Sequence, residues 1–317
     1  MSEINTNNKS SLVVQEELNV KEAKKAAKVG KIVSTIVTYT FLILLALIVL
    51  FPFYWMINSS LKSIEEYKAA VPTFWPKDVR FENYINAYSV ANLGTLFLNT
   101  VIVGVVSTIL SLIITIISAF AFARLEFKGR DLLFGALMAT MMIPGEMFTV
   151  SNYVTVFKID KLLAQMGINA TFSNTYAVLI IPFLVSVFYI YLLRQNFKQI
   201  PNELYLAAKV DGTTDFGYLC KVMVPLSLPT LISITILKMM GAWNSYIWPR
   251  LVTKVTKEKN LQLITNGLRN AFKDLSGDTD YPVQMAAIAL VSIPLFLVFL
   301  FFRKYIMKGV SRSGIKG

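Results

Sequence analysis

The chain has 317 residues, 55% of them hydrophobic and only 16% charged, with a net charge of +12. A soluble domain carries about 25% charged residues, so the composition excludes one, and the basic excess belongs in loops beside a membrane, with no nucleic-acid partner expected. The absence of His and the single Cys220 exclude imidazole metal sites, His-dependent triads, a disulfide framework and a cysteine-only zinc site, so no metal site is expected.

In chain order, residues 1–20 are polar and expected to be disordered, and Lys21–Lys31 forms a basic approach to the membrane. A membrane helix needs about 20 mainly apolar residues. Ile32–Ile57, Leu96–Ala123, Leu132–Phe157, Thr175–Leu193, Val222–Trp248 and Val283–Phe302 each meet that length. In lipid the backbone must bond to itself, so all six are predicted helices. The expected organisation is a polar, basic tail over 1–30, a membrane domain over 31–306 and a second tail over 307–317. The first apolar segment lies too deep and runs too long for a cleaved signal peptide.

Six spans place both termini on one side. That side collects eighteen of the 31 Lys and Arg residues and the other side twelve, with Lys238 inside the fifth span. By the positive-inside rule the termini are expected to be cytoplasmic.

The cytoplasmic loop at 200–225 carries the most information. Pro201 suits the first turn of a helix, Glu203 its positive end, and Gly212 a left-handed stop. Thr214 or Asp215 can cap the next helix. The spacing therefore predicts a short, slim helix over 201–212 lying across the cytoplasmic end of the spans, with Ala207 and Ala208 open to close approach. A plain amphipathic connector has the same local pattern.

Two charges lie within predicted spans. Counted along straight helices from Leu132 and Val222, Glu146 and Lys238 fall about 21 and 24 Å from the cytoplasmic ends. Charges there cost at least about 2.5–3.5 kcal/mol unless paired or hydrated. A shared polar cavity, with Pro144 and Gly145 kinking the third span toward it, competes with separate snorkelling to the headgroups. Trp243, Asn244 and Tyr246, with Asn152 and Tyr153, offer aromatic and amide groups suited to a polar pathway through the spans. An interfacial aromatic belt is the plainer reading for Tyr246 and Trp248. In the last external loop Leu261, Ile264, Leu268 and Phe272 recur at helical spacing, as in an amphipathic helix resting on the membrane.

Several segments together carry a resemblance. Ala207-Ala208 precedes Asp211-Gly212 and then Val222-Met223-Val224-Pro225. Phe51-Pro52-Phe53-Tyr54-Trp55-Met56 and Ser59-Ser60-Leu61-Lys62 close the first span. Met142-Ile143-Pro144, Trp243-Asn244-Ser245-Tyr246-Ile247-Trp248-Pro249 and the C-terminal Lys308-Gly309 and Gly314-Ile315-Lys316-Gly317 follow in order. From about residue 30 onward the chain resembles the carbohydrate branch of ABC-importer permeases, the MalG-like subunits, and 200–225 resembles their EAA loop. The resemblance implies an all-α, six-span type I permease fold in a bacterial or archaeal cell membrane.

It further implies a subunit that is not itself an enzyme and binds no cofactor, with ATP and Mg held by partner ATPases. The implied partners are a second permease, two ATPase subunits, an extracytoplasmic sugar-binding protein and membrane lipid. Glu203, Ala207, Ala208, Asp211 and Gly212 would couple to the ATPase. Leu206 stands where the family has Glu, so the resemblance carries the docking without that residue's ion pair. Gly309, Gly314, Lys316 and Gly317 would enter the interface of the ATPase pair, whereas a basic anchor to anionic lipid is the alternative. Two other classes compete: a self-contained ion-coupled carrier or channel, expected to show several intramembrane acids or an inverted repeat, and a membrane-embedded enzyme, against which the missing His and scattered carboxylates count.

Overall fold

A computed structural model describes residues 3–168, 171–255, 260–272 and 280–311. The chain divides into two compact units, Met1–Asn58 and Ser59–Gly317.

The first unit is the greater part of one helix, α1, Glu3–Ser60. The helix runs through the polar segment expected to be disordered. Its stretch from Gly30 is apolar enough to cross a membrane, and every side chain from Lys31 to Phe53 is exposed. Such a helix is stable where its backbone bonds close on themselves and lipid accepts its surface.

The second unit is helical throughout, and among the described residues the sole β feature is an isolated bridge between Val255 and Asn260. The helices are α2 (Ile64–Tyr67), α3 (Glu82–Val90), α4 (Leu93–Arg124), α5 (Arg130–Thr140), α6 (Gly145–Gln165), α7 (Tyr176–Ile180), α8 (Val187–Lys198), α9 (Asn202–Val210), α10 (Asp215–Tyr218), α11 (Val224–Leu226), α12 (Leu228–Trp243), α13 (Ile247–Val252), α14 (Ile264–Ala271) and α15 (Tyr281–Ser311). A 3₁₀ turn, Ile181–Phe183, follows α7, and a π-helical turn, Leu219–Met223, links α10 to α11.

Among the described residues three helices are long and apolar enough to cross a membrane unbroken: the α1 segment, α4 and α15 through Arg303. The other three predicted spans are bent pairs, giving up to six. The third span turns by 93° between α5 and α6, and Pro144 sits at the break. Proline removes a donor and clashes with the preceding turn, so the expected kink is present, far sharper than a bend within one helix. Beyond it α6 continues past the predicted end at Phe157 and includes Lys158, Asp160 and Lys161. The fourth span bends by 48° between Phe183 and Val187, and the fifth by 79° at Ser227 between Pro225 and Pro229.

The helix α4 is the spine of the second unit. Its buried face runs Leu93, Leu96, Asn99, Thr100, Val103, Gly104, Ser107, Thr108, Ser111, Thr115 and Ala119, and it packs against α8 and α12. Small residues let helices approach closely in lipid. A Cβ on Gly104 would lie 3.1 Å from the Met239 sulfur and 3.8 Å from Ala242 Cβ on α12. The opposite face, including Leu98, Val105, Ile109 and Ile113, is exposed and apolar.

Candidate functional site

The short helix expected over 201–212 is α9, Asn202–Val210. Behind it, Arg124 at the end of α4 donates from Nη2 to the Phe197 carbonyl at 3.0 Å and also to the Ile200 carbonyl. That satisfies the C-terminal carbonyls of α8 and complements its dipole. Pro201 then occupies the N-cap position and Glu203 the first turn. At the far end Gly212 has φ +71°. Its N–H donates to the Lys209 carbonyl at 3.1 Å, and the Thr213 N–H donates to Ala208 at 2.9 Å. These two bonds form a Schellman motif, the stop expected from Gly212. The Thr214 hydroxyl accepts from the Gly217 N–H at 3.1 Å and caps α10, as its residue type predicts.

A polar lock holds the inner face of α9. The Tyr205 hydroxyl donates to Asp215 Oδ1 at 2.6 Å, and Lys209 Nζ lies 2.7 Å from the same oxygen. The Lys209 ammonium also sits 5.4 Å from the Tyr205 ring centroid. Its hydrogen bond to Asp215 raises the Lys209 pKa above the ordinary lysine value, and burial followed by the Asp215 contact raises that of Tyr205. Tyr205 and Ala208 pack on a core containing Phe120, Leu193, Phe197 and Tyr218. The two alanines therefore differ, since Ala208 faces inward and Ala207 outward. The outward face carries Glu203, Leu206, Ala207, Val210, Asp211 and Gly212, all exposed. Val210 is 89% exposed, and Phe216 just beyond the turn is 68% exposed.

Within the spans lies a cavity of about 360 Å³ between α4, the α7–α8 break, α12 and α13. Lys238, Tyr189, Ser186, Ser245, Trp248 and Phe183 are among its lining residues. Lys238 Nζ donates to the Phe183 carbonyl, a group freed where the 3₁₀ turn ends. Trp248 is 3% exposed, and its Nε1–H donates to the Val178 carbonyl at 2.9 Å. It is a core and cavity residue, unlike the interfacial belt expected of it.

Of the pathway residues expected from sequence, Lys238 alone lines this cavity. Trp243 packs with Leu93, Leu96 and Ile264, its ring 5.6 Å from that of Phe97. Asn244 bonds back to the Met240 carbonyl at 2.9 Å. The Tyr246 hydroxyl accepts from Arg250 at 2.7 Å, and Arg269 stacks on its ring. Glu146 lies exposed in the first turn of α6, and Asn152 and Tyr153 follow on the same helix. The sharp α5–α6 turn invalidates a depth counted along one straight helix. Lys238 meets a carbonyl, and none of the ion pairs among the described residues joins it to Glu146. Ser186, Tyr189 and Ser245 gave no sequence signal of their own.

The end of α4 away from α9 is also built. In the last loop, Ile264 is fully buried, its N–H bonded to the Thr100 hydroxyl at 2.9 Å. Asn99 donates to the Asn260 and Gln262 carbonyls at 2.8 and 3.0 Å, while the Tyr176 hydroxyl donates to Asn99 at 2.6 Å. The helix α14 is thus docked on α4, where its pattern suggested a helix resting on the membrane. In the first loop, Lys62 donates to the Thr73 carbonyl at 2.5 Å, and Glu66 accepts from Thr73 and from the Lys77 N–H. Burial alone would raise the Glu66 pKa. The Thr73 hydroxyl, the Lys77 N–H and the Lys62 ammonium outweigh it and hold the group below its ordinary 4.5. At the C-terminus Gly309 lies within α15, and Gly314, Lys316 and Gly317 lie outside the described residues.

The family model for the binding-protein-dependent transport system inner membrane component matches residues 111–312. The diacetylchitobiose uptake system permease protein NgcG of Streptomyces coelicolor is 30% identical over 277 residues, 87% of each chain. The arabinooligosaccharides transport system permease protein AraQ of Halalkalibacterium halodurans is 29% identical, over 92% of this chain and 99% of its own. The lactose transport system permease protein LacG of Rhizobium radiobacter is 26% identical over 88% of this chain and 95% of its own. A bacterial ABC transporter involved in the import of the acidic polysaccharide alginate superposes with a TM-score of 0.71 at 24% identity, covering 86% of this chain and 96% of that one. That likeness establishes a shared fold.

Proposed function

The chain belongs to the family of binding-protein-dependent transport inner-membrane components, the permease subunits of ABC importers, and from that premise we propose that it forms half of an ATP-driven pathway for a sugar or oligosaccharide. The saccharide names of NgcG, AraQ and LacG support the solute class. A second permease, two ATPase subunits holding ATP and Mg, and an extracytoplasmic binding protein complete the assembly. Both termini lie in the cytoplasm, consistent with the Lys and Arg distribution. The membrane domain spans 31–306, flanked by tails 1–30 and 307–317, and the second tail reaches the ATPase pair through Gly309, Gly314, Lys316 and Gly317.

One observation carries the coupling proposal: α9 is fixed from behind by the Tyr205–Asp215–Lys209 lock while its outer face stays bare. A bare, rigid face suits a lever seated in a groove of the ATPase. Leu206 and Val210 make that contact apolar where relatives use an acid. ATP-driven closure of the ATPase pair moves α9, and the packed α8, α10 and α4 carry the displacement toward the cavity. Affinity purification of the tagged chain should retain an ATPase. A Val210→Asp variant should hydrolyse ATP in that complex with little or no uptake. Solute transport by the purified chain alone, down an ion gradient, would overturn the proposal.

A further inference from the structure

The Lys238 cavity carries an unbalanced positive charge. Lys238 lies in the membrane part of α12, and Ser107, on the same cavity wall, is about 21 Å along α4 from Leu93 and about 26 Å from Arg124. The ammonium is therefore level with the middle of a span, where a charge costs at least about 2.5–3.5 kcal/mol unless compensated. It has three N–H donors. One is used on the Phe183 carbonyl, and among the described residues the others have no partner. No Asp or Glu is among the described residues that line the cavity. The hydroxyls of Ser186, Tyr189 and Ser245 make no hydrogen bond to a described residue, and Trp248 and Phe183 add aromatic surface.

We propose that this cavity binds the anionic group of a saccharide, a carboxylate or phosphate, with Lys238 as its counter-ion. The reading rests on the assignment of the chain as a saccharide permease and names the solute subclass that passes this wall. Chemistry supports it over a neutral ring. A neutral sugar leaves the charge uncompensated in low dielectric, whereas an anion accepts the two free donors in charge-assisted bonds. The nearby hydroxyls then serve the ring hydroxyls, and the more exposed Phe183 ring its C–H surface. A membrane wall of this kind selects by charge, a step separate from capture by the binding protein.

The test uses the complete complex with its binding protein in proteoliposomes containing ATP. Three probes are compared: digalacturonate, a disaccharide phosphate and neutral galactobiose. Uptake of an acidic probe should fall by about tenfold or more in Lys238→Gln, the scale of a lost charge-assisted bond. Lys238→Arg should retain most of it. Glutamine keeps an amide donor for the Phe183 carbonyl, so complex yield and melting temperature should be unchanged. Uptake of neutral galactobiose alone, at equal rates in wild type and Lys238→Gln, would overturn the anion site and leave the permease reading intact. Equal losses for acidic and neutral probes, with poorer complex recovery, would overturn it in favour of a carboxylate supplied by the second permease. A complex that moves none of the three would count against both.

Discussion

A methyl group placed on Gly267 would come within 2.3 Å of Leu96 Cδ2 and 3.0 Å of its Cγ. Leu96 is 1% exposed and has nowhere to swing. Gly267→Ala should therefore cost about 1–3 kcal/mol, the usual range for overpacking, read as a lower melting temperature of the detergent-solubilised complex. Nothing local in the sequence distinguishes this glycine from a turn glycine, because the reason for it lies 171 positions earlier on α4. Glu66 makes a pH prediction of the same scale. Its native pKa is below 4.5, so its contribution to the 62–80 loop is present above that value and is lost as pH falls through the native pKa. Hydrogen-exchange protection across residues 62–80, corrected for the intrinsic slowing of exchange in acid, should fall on acidification below about pH 4.5, and Glu66→Gln should flatten that response. The polar lock at Tyr205 escaped notice because Tyr, Lys and Asp at 205, 209 and 215 look like ordinary solvated residues until the Schellman turn folds α10 back beside α9.

Among the elements, α9 was the most legible. Proline, a first-turn acid, a terminal glycine and a capping threonine are local signals, and each acts where it stands. A proline stands at each bend: Pro144, Pro182 in the 3₁₀ turn, and Pro225 and Pro229 on either side of Ser227. Proline marks where a helix breaks and leaves the angle to tertiary packing. The α14 pattern was read correctly as amphipathic, but an apolar stripe fits a protein groove as well as a lipid surface. Two predictions separate backbone from contact at α9. Because Gly212 has φ +71° and open space around it, Gly212→Ala should cost about 1 kcal/mol of backbone strain. Gly212→Trp should add little further destabilisation to the isolated chain, yet abolish coupled transport by filling the face proposed to seat in the ATPase. Comparison of melting temperature with ATP-dependent uptake distinguishes the two effects. By contrast Ala208→Leu should destabilise the core under α9, and Ala207→Leu should not, since only Ala208 faces that core.

For the molecule as a whole, hydropathy located three unbroken helices long and apolar enough to cross a membrane, and its other three predicted spans fall on bent helix pairs. It could not show which polar residues would meet. The cavity joins α4, α7, α12 and α13, and its serines are unremarkable one by one. The single Cys220 offers a direct check of topology. It is exposed and follows α10, on the proposed cytoplasmic side. A membrane-impermeant maleimide should label it in inside-out vesicles and leave it unmodified in intact cells. The hydroxyl-rich seam of α4 has a mechanical corollary. Where two helices interlock through bulky knobs, displacement of one along the other requires each knob to leave its hole. Across Gly104, Ser107, Thr108 and Ser111 the ridges are shallow, and the Thr108 hydroxyl has no partner in this arrangement. A helix displaced along that seam would meet low steps, as on a worn ratchet, while the hydrogen bonds of Asn99 and Thr100 to the 260–264 segment hold one end of α4.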